Sequence, residues 1–318
     1  MTMTSTCTIN VQELEKLSSP LSQKEFKDLR DFPRAFKKGV TNPEAKTLDF
    51  SNAKEKLPNI SIELSWSVCN DDEIIESSMH SFLDYCTTQT PLQANCFSHQ
   101  EGIPRQKIFT EESIYLFQMN ADYDERLLKF VQNPSYVEDW FDKHLPAYSK
   151  CFVEGKIHTW FFIGPKGTKS EMHNDHDGVH TTIQQLDGEK LFFLISPDDM
   201  LLIEKTMGEN YLKDIEFNLN SNSSVTVSSL SNQDLEIFKK ITLYTTTLQK
   251  HDIIYLPSDW GHYATSLSPS FSVSRDFIDD RNIDKYLFSV IFLSKHISKT
   301  LENMPANLVN QIIEENNL

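Results

Sequence analysis

The second half of the chain is built from short β-type segments, and their spacing restricts the fold more than any other feature. Each segment is rich in β-branched and aromatic residues, and turn signals such as Asp187-Gly188 separate neighbouring segments. Regularly spaced short strands of this kind predict an antiparallel barrel or a jelly roll. The segments cover residues 159–163, 181–186, 190–195, 241–248, 252–256 and 270–277.

The regions on either side of these segments predict helices. Residues 73–86 carry apolar side chains with a helical rhythm, and Ser22 and Glu25 have the spacing of a capping box. The chain is therefore expected to contain a mixed, mostly helical N-terminal part that packs on the barrel, a β core, a polar insertion inside that core, and C-terminal helices. In the same order, these parts are residues 1–150, 151–282, 218–234 and 283–318.

Charge and composition exclude several classes of function. The chain has 30 Lys+Arg against 46 Asp+Glu, a net charge of −16, whereas duplex nucleic acid is bound by clustered basic residues. The sequence contains no GxGxxG or GxxxxGK[ST] motif, so it predicts neither a dinucleotide-binding site nor a P-loop. The five cysteines include no CxxC pair, which fits a reducing compartment. With no signal peptide and no membrane-spanning apolar run, we expect a soluble, cytoplasmic protein without a membrane partner.

The densest group of metal-ligating side chains is the HNDHDGVH segment at residues 173–180. His173 and Asp175 are two residues apart, so on an extended strand both side chains point to the same side. His262 lies 89 residues after His173, just past a predicted strand, and is the best candidate for a third ligand. Two histidines and one carboxylate form the facial triad of non-haem Fe(II) oxygenases, which leaves coordination positions open for substrate and oxygen.

A second pair of histidines in this segment offers an alternative ligand set. His176 and His180 are four residues apart and would face each other on a helix. The HExxH pattern of a zinc protease is absent, and Gly178 and the β-rich residues that follow disfavour a helix. We therefore interpret His176 and His180 as loop residues and favour the first set.

Four blocks of the sequence resemble, in order, motifs of the JmjC (cupin-8-like) family. FIGPKGTKSEMHND resembles "igpxgtxsxxHxD", QQLDGEKLFFL resembles "qvxGxKxxxl", DIIYLPSDWGH resembles "GDxlyiPxxWxH", and SVSRDF resembles "SvSxxF". The blocks span residues 162–277, whereas the N-terminal third matches only loosely. The implied family comprises Fe(II)- and 2-oxoglutarate-dependent oxygenases related to the asparaginyl hydroxylase of hypoxia-inducible factor.

The resemblance has implications for the fold and the metal. It implies a double-stranded β-helix, that is, a jelly-roll core in a mainly β protein with helical additions. It also implies that Fe(II) and the cosubstrate 2-oxoglutarate are required. By position in the motifs, His173, Asp175 and His262 would be the iron ligands and the catalytic centre.

The resemblance also assigns residues to the cosubstrate. Lys190 takes the place of the lysine that binds the distal carboxylate of 2-oxoglutarate, and Ser170 matches a hydroxyl position that helps hold it. Thr181 matches a polar position on the cosubstrate side. Arg275 lies on an apolar strand face with cationic chemistry suited to the same carboxylate, and it is the alternative anchor. One departure is His251, which stands where the family often has glycine before the Asp of "GD".

The implied reaction is hydroxylation of a C–H bond, coupled to conversion of 2-oxoglutarate and O2 to succinate and CO2. A protein side chain is the leading substrate, and the acidic net charge mildly favours basic targets. A small molecule (a free amino acid, a natural-product intermediate or a nucleoside) is the first alternative, and a catalytically silent metal-binding interaction module is the second. The apolar side chains of residues 283–318 predict packing either on the chain's own barrel or on a second copy. Dimerisation of relatives through C-terminal helices implies the second arrangement, a homodimer.

Overall fold

The structure is a computed structural model that describes most of the chain. The described residues are 5–17, 22–66, 73–88, 90–98, 105–110, 114–121, 124–132, 134–140, 159–207, 215–219, 224–230 and 236–289.

Strands are the most abundant regular element of the described structure, and they are numbered here along the chain. They are β1 Ser5–Glu13, β2 Lys16–Leu17, β3 Arg34–Phe36, β4 Ser61–Trp66, β5 Glu73–Ser78, β6 Leu92–Ser98, β7 Arg105–Phe109, β8 Ile114–Asn120, β9 Thr159–Gly164, β10 Lys169–His173, β11 His180–Asp187, β12 Lys190–Ile195, β13 Glu216–Leu219, β14 Ser224–Leu230, β15 Leu243–Leu248, β16 Ile253–Leu256, β17 Gly261–Ser266 and β18 Ser270–Phe277.

The helices are short and lie outside the central strands. They are α1 Gln23–Leu29, α2 Pro43–Thr47, α3 Ala53–Lys56, α4 Met79–Thr88, α5 Glu125–Leu128, α6 Pro197–Met207 and α7 Ile283–Phe288, and a 3₁₀ helix lies at His176–Gly178. The longest described helix, α6, has 11 residues, and no described helix is long and apolar enough to cross a bilayer.

Two sheets form the framework. The smaller has the strand order β10-β17-β12-β15-β1-β14-β13, and the larger has the order β2-β3-β16-β11-β18-β9-β8-β4-β5-β6-β7. The central neighbours are antiparallel: β11 lies between β16 and β18, and β12 lies between β15 and β17. All six predicted core segments are strands, and two of them, Lys190–Ile195 and Ser270–Phe277, match to the residue.

The two sheets pack face to face around one apolar layer. Phe192 and Leu194 of β12 lie in the same buried cluster as Ile183 of β11 and Ile254 of β16. Because side chains alternate along a strand, the neighbouring residues of β12 point outward, where Phe193 packs in a separate cluster with α6. This arrangement confirms the predicted jelly roll.

The N-terminal part is not mostly helical, so that prediction is wrong. Among its described residues, strands β4 to β7 continue the larger sheet beyond β8. Residues 73–86, which were expected to be one helix, are strand β5 followed by the start of α4 at Met79. Pairing of β5 with both β4 and β6 outweighs the helical spacing of the apolar residues. The β-branched Ile74 and Ile75 also fit a pleated sheet well. This part packs on the outer face of the larger sheet, with Phe36 in one cluster with β16 and β18 side chains.

The polar insertion predicted at residues 218–234 has strand structure of its own. Its described residues form an antiparallel hairpin of β13 and β14, and β14 pairs with β1 at the edge of the smaller sheet. Val225 is fully buried in this hairpin. Valine alternates with small polar residues along β14, which is the pattern of a strand with one buried face.

The predicted C-terminal helices are described only at their start. α7 is helical over residues 283–288, whereas residues 290–318 lie outside the described residues. The other helices expected there, and the homodimer that they suggested, stay predictions.

The capping box predicted at Ser22 is confirmed. The Ser22 hydroxyl accepts a hydrogen bond from the Glu25 backbone N–H, and the Glu25 carboxylate accepts one from the Ser22 N–H. We expect Ser22→Ala to lower the free energy of unfolding by about 1 kcal/mol, because the first turn of α1 loses a capping partner. Urea unfolding measures this change, and Ser61→Ala at an exposed start of a strand is the control. Equal losses in the two variants would contradict the expectation.

Candidate metal centre and cosubstrate pocket

Strand pairing brings His173, Asp175 and His262 together. His173 ends β10 and faces His262 directly across the antiparallel pair of β10 and β17. Asp175 follows two residues after His173, and its Oδ1 lies 3.9 Å from His173 Nε2 and 3.7 Å from His262 Nε2. One ligand atom from each of the three residues lies within 4.8 Å of the other two. The three residues therefore form one cluster.

The two imidazoles are oriented by the backbone. His173 Nδ1 lies 2.6 Å from the Glu171 carbonyl oxygen, and His262 Nδ1 lies 3.2 Å from the Trp260 carbonyl oxygen. A carbonyl can only accept, so each Nδ1 donates, and in the neutral imidazole the lone pair is then on Nε2. This is the arrangement of metal-ligating histidines, whose second nitrogen usually donates to a carbonyl or carboxylate.

The spacing within the cluster distinguishes a metal site from an ordinary ion pair. A charge-assisted hydrogen bond would bring nitrogen and oxygen to about 2.7–2.9 Å, whereas these pairs stay 3.7 and 3.9 Å apart. Asp175 Oδ2 accepts a hydrogen bond of 2.6 Å from the Thr181 hydroxyl, so Oδ1 is the oxygen left for the cluster. Two neutral imidazole nitrogens and one carboxylate oxygen fit the donor set of non-haem Fe(II).

Exposure increases from one side of the cluster to the other. The side chain of His262 is 7% exposed, that of Asp175 26%, and that of His173 37%. The His262 side of the cluster is therefore buried in the barrel, and the His173 side is accessible to solvent. A substrate too large for the barrel interior can approach from the His173 side.

Lys190 is a buried cation on the neighbouring strand β12. Its Nζ donates to Ser272 Oγ at 2.7 Å and to Tyr115 Oη at 3.2 Å, and it lies 5.6 and 5.5 Å from the ring centroids of Tyr115 and Phe162. No ion pair among the described residues involves Lys190, and burial lowers its pKa to about 7. A buried ammonium with hydroxyl and ring neighbours but no carboxylate is suited to an anionic ligand.

Hydroxyl groups complete this pocket. The Ser170 side chain is hydrogen-bonded to Tyr115, and burial raises the pKa of the Tyr115 phenol, so the phenol stays protonated. The hydroxyls of Ser272 and Tyr115 therefore contact Lys190, and the Ser170 hydroxyl lies one hydrogen bond further on. This set of donors suits the distal carboxylate of 2-oxoglutarate. Sequence analysis missed Tyr115 and Ser272. Alternation along the strand could have indicated Ser272, whereas Tyr115 lies in the loosely matching N-terminal third and had no signal.

Arg275 is not brought into this pocket. It lies on the opposite face of β18 from Ser272, and its Nη2 pairs with Asp139 Oδ2 at 3.2 Å. Val273, on the same face as Arg275, belongs to the cluster on the outer side of the sheet. Thr181 was expected on the cosubstrate side, and its hydroxyl is hydrogen-bonded to the Asp175 carboxylate.

The alternative ligand His180 lies outside the cluster. It begins β11 rather than lying in a loop, and its Nδ1 accepts a hydrogen bond of 2.9 Å from the Ser258 N–H. Its Nε2 lies 3.4 Å from Asp279 Oδ1, in a buried contact. The backbone of His176 is in the 3₁₀ helix, and its side chain lies outside the described part of the chain.

His251, at the departure from the family motif, occupies a glycine-like conformation. Its φ is 73°, in the left-handed region that favours glycine. The turn is held nevertheless, because the His251 N–H donates to the Gln185 carbonyl at 2.6 Å and Asp252 accepts from the Gln249 N–H at 3.1 Å. The departure therefore leaves the turn before β16 intact and does not touch the metal cluster.

Helix α7 and its flanking residues fix the two loops that carry ligands. Asn282 Nδ2 donates to the Gly178 carbonyl at 2.9 Å, and Ser289 Oγ donates to Asp177 Oδ1 at 2.5 Å, both in the loop after Asp175. Lys285 pairs with Asp259 in the loop before His262. Three residues in or beside one short helix thus hold both loops.

Comparison with known proteins places this architecture among characterised relatives. A family model described as the cupin-like domain matches residues 27–280. Jumonji C domain-containing protein 5 of Drosophila melanogaster is 30% identical over 155 residues, which are 49% of this chain and 36% of that protein. Lysine-specific demethylase JMJ30 of Arabidopsis thaliana is 28% identical over 137 residues, which are 41% of this chain and 28% of that protein.

A third match covers more of the chain at lower identity. The 2-oxoglutarate and iron-dependent oxygenase JMJD4 homolog of Drosophila melanogaster is 19% identical over 248 residues, which are 76% of this chain and 53% of that protein. This chain therefore spans only about a quarter to a half of the length of these curated relatives.

Proposed function

Since this chain belongs to the JmjC group of the cupin-like domain family, we propose that it is an Fe(II)- and 2-oxoglutarate-dependent oxygenase. The reaction proposed is hydroxylation of a C–H bond, most favourably on a protein side chain. The observation that carries the proposal is the cluster of His173, Asp175 and His262 beside Lys190, a buried cation with no carboxylate partner among the described residues. These are the groups needed to hold a metal ion and a dianionic cosubstrate next to each other.

Each part of the site has a separate role in this proposal. His173 Nε2, His262 Nε2 and Asp175 Oδ1 would hold the iron. When bound, the iron supplies redox chemistry in which 2-oxoglutarate and O2 give succinate and CO2, while one oxygen atom enters the substrate C–H bond. Lys190 and the hydroxyls around it would bind the distal carboxylate and set the direction in which the cosubstrate lies. The apolar layer between the sheets excludes water from the inner side of the site.

A protein substrate is supported by two observations. The metal cluster opens to solvent on the side of His173, where a side chain carried on a large molecule can reach it. One similar protein carries the name lysine-specific demethylase, which describes a reaction on a protein side chain. The net charge of −16 further favours a basic target.

Succinate formation tests the proposal. Purified protein is incubated with Fe(II), O2 and 2-oxoglutarate, and succinate is measured with and without host lysate. Release of succinate that requires Fe(II) is expected, and it rises when the lysate contains substrate. Mass spectrometry then locates one added oxygen atom. Absence of succinate under both conditions, with metal bound, would favour the silent interaction module.

The same assay distinguishes the two substrate classes. The lysate is separated into a protein fraction and a low-mass fraction, and each is added to the reaction. Stimulation by the protein fraction alone is expected. Stimulation by the low-mass fraction alone would instead identify a free amino acid, a natural-product intermediate or a nucleoside as the substrate.

The homodimer and the cytoplasmic location remain part of the proposal. We expect light scattering of the intact chain at tens of micromolar to give twice the mass of 36.8 kDa, and deletion of residues 299–318 to give a monomer. The physical reason is the apolar surface of the C-terminal segment, which two short helices cannot bury in each other. An intact chain that scatters as a monomer would reject the dimer, and a dimeric deletion variant would place the interface elsewhere.

A further inference from the structure

Thr181 lies between two carboxyl groups, and its single proton cannot satisfy both. Its Oγ lies 2.6 Å from Asp175 Oδ2 and 2.9 Å from Asp276 Oδ1. A hydroxyl donates one hydrogen bond and accepts others. The shorter contact, with Asp175, is the one expected of a hydroxyl that donates to a carboxylate. The longer contact holds Asp276 beside the same hydroxyl oxygen.

Asp276 is held on its second oxygen as well, because Trp160 Nε1 donates to Asp276 Oδ2 at 3.3 Å. The result is a continuous chain of hydrogen bonds that links Trp160, Asp276, Thr181 and Asp175.

Rigid neighbouring strands hold these residues in place. Thr181 of β11 and Asp276 of β18 are directly opposite each other, and Trp160 lies on β9, the next strand along the sheet. Thr181 is buried, with 3% of its surface exposed. This chain of hydrogen bonds ends on Oδ2 of Asp175, so it fixes the rotation of that carboxylate and leaves Oδ1 facing the two histidines.

We propose that Thr181 and Asp276 are positioning residues that hold Asp175 in its metal-binding orientation. The inference rests on the proposed metal site, and it concerns residues that do not themselves touch the metal. Loss of a hydrogen-bond partner of a metal ligand typically weakens metal binding by about 10–100-fold. Thr181→Val removes the hydroxyl at nearly constant volume and is expected to produce a loss of this size.

Mn(II) binding, followed by the electron paramagnetic resonance signal of the free ion, tests the proposal without turnover. Thr181→Val should bind Mn(II) about 10–100-fold more weakly than the native chain, and Thr181→Ser should restore the affinity. Asp276→Leu should also weaken binding. Asp276→Asn should preserve it, because an amide of the same shape can hydrogen-bond to Thr181 and accept from Trp160.

A neighbouring threonine provides the matched control. Thr182 is equally buried on β11, but its hydroxyl donates to the Arg275 carbonyl at 3.4 Å, away from the cluster. Thr182→Val should leave Mn(II) affinity at the native level. Thermal unfolding without metal verifies that each variant folds, and the two Asp276 variants decide the matter if Thr181→Val does not fold.

The outcomes that overturn the proposal differ from those that overturn the metal site. Native affinity in Thr181→Val or in Asp276→Leu would reject the positioning role, and so would equal weakening by Asp276→Asn and Asp276→Leu. If His262→Ala also binds Mn(II) at the native level, the proposed metal site itself is wrong. Weakening by His262→Ala together with native binding by Thr181→Val rejects the positioning role alone.

Discussion

The His262→Ala variant is expected to lose at least about a hundredfold in the rate of 2-oxoglutarate turnover, because changes beyond the direct ligands already cost about 10–100-fold. His262 is the most buried member of the cluster and the only one contributed by β17. Its removal leaves two ligands, His173 and Asp175, that are two residues apart in sequence, and these cannot hold the ion on three sides. The fold should change little, because the imidazole has one backbone partner and a glycine precedes it on the strand.

Succinate release at saturating Fe(II) and 2-oxoglutarate measures this effect. His80→Ala is the matched control, since His80 is a half-buried histidine of α4 whose Nε2 contacts the Leu57 carbonyl at 3.1 Å. The control should turn over at the native rate. A His262→Ala protein with native turnover would remove His262 from the set of ligands.

The Lys190→Met variant is expected to raise the KM for 2-oxoglutarate by about 10–100-fold. A hydrogen bond to a charged group contributes about 1.5–3 kcal/mol, and each 1.4 kcal/mol corresponds to a factor of ten. Methionine has nearly the same length and keeps the contacts with the Tyr115 and Phe162 rings, so the change removes mainly the charge. Initial rates of succinate formation across 2-oxoglutarate concentrations give the KM.

Arg275→Met distinguishes the two cations that the sequence offered as anchors. Because Arg275 pairs with Asp139 on the other face of β18, its removal should leave the KM unchanged while lowering the thermal midpoint. A large KM effect of Arg275→Met, combined with a small effect of Lys190→Met, would reverse the assignment.

The burial of Lys190 also gives the Lys190→Met comparison a pH dependence. Burial lowers the pKa of Lys190 from 10.5 to about 7, so between these values the unfolded chain binds more protons than the folded one. Stability therefore rises with pH across this window, and the penalty for the buried charge is greatest below about pH 7. Lys190→Met should raise the thermal midpoint most at pH 6–7, by a margin that shrinks towards pH 10. A margin independent of pH would contradict the lowered pKa.

The parts of the site that the sequence predicted are those encoded locally. His173 and Asp175 share a strand face because they are two residues apart. The core strands are predicted by their β-branched and aromatic residues and by the turn residues between them. Tyr115 and Asp276 were missed because their roles come from pairing between distant strands, which no local pattern records. The same reason explains the error at residues 73–78, where Ile74 and Ile75 fit either a helix or a strand until β4 and β6 are in place.

The bonds from α7 to both ligand loops have a consequence for local unfolding. Because Asn282 and Ser289 hold the loop after Asp175, and Lys285 holds the loop before His262, release of this helix frees both loops at once. Opening of α7 and loss of order at the metal cluster are then a single cooperative event rather than two. Amide hydrogen exchange in α7 should therefore slow when metal binds, although no residue of the helix belongs to the ligand set.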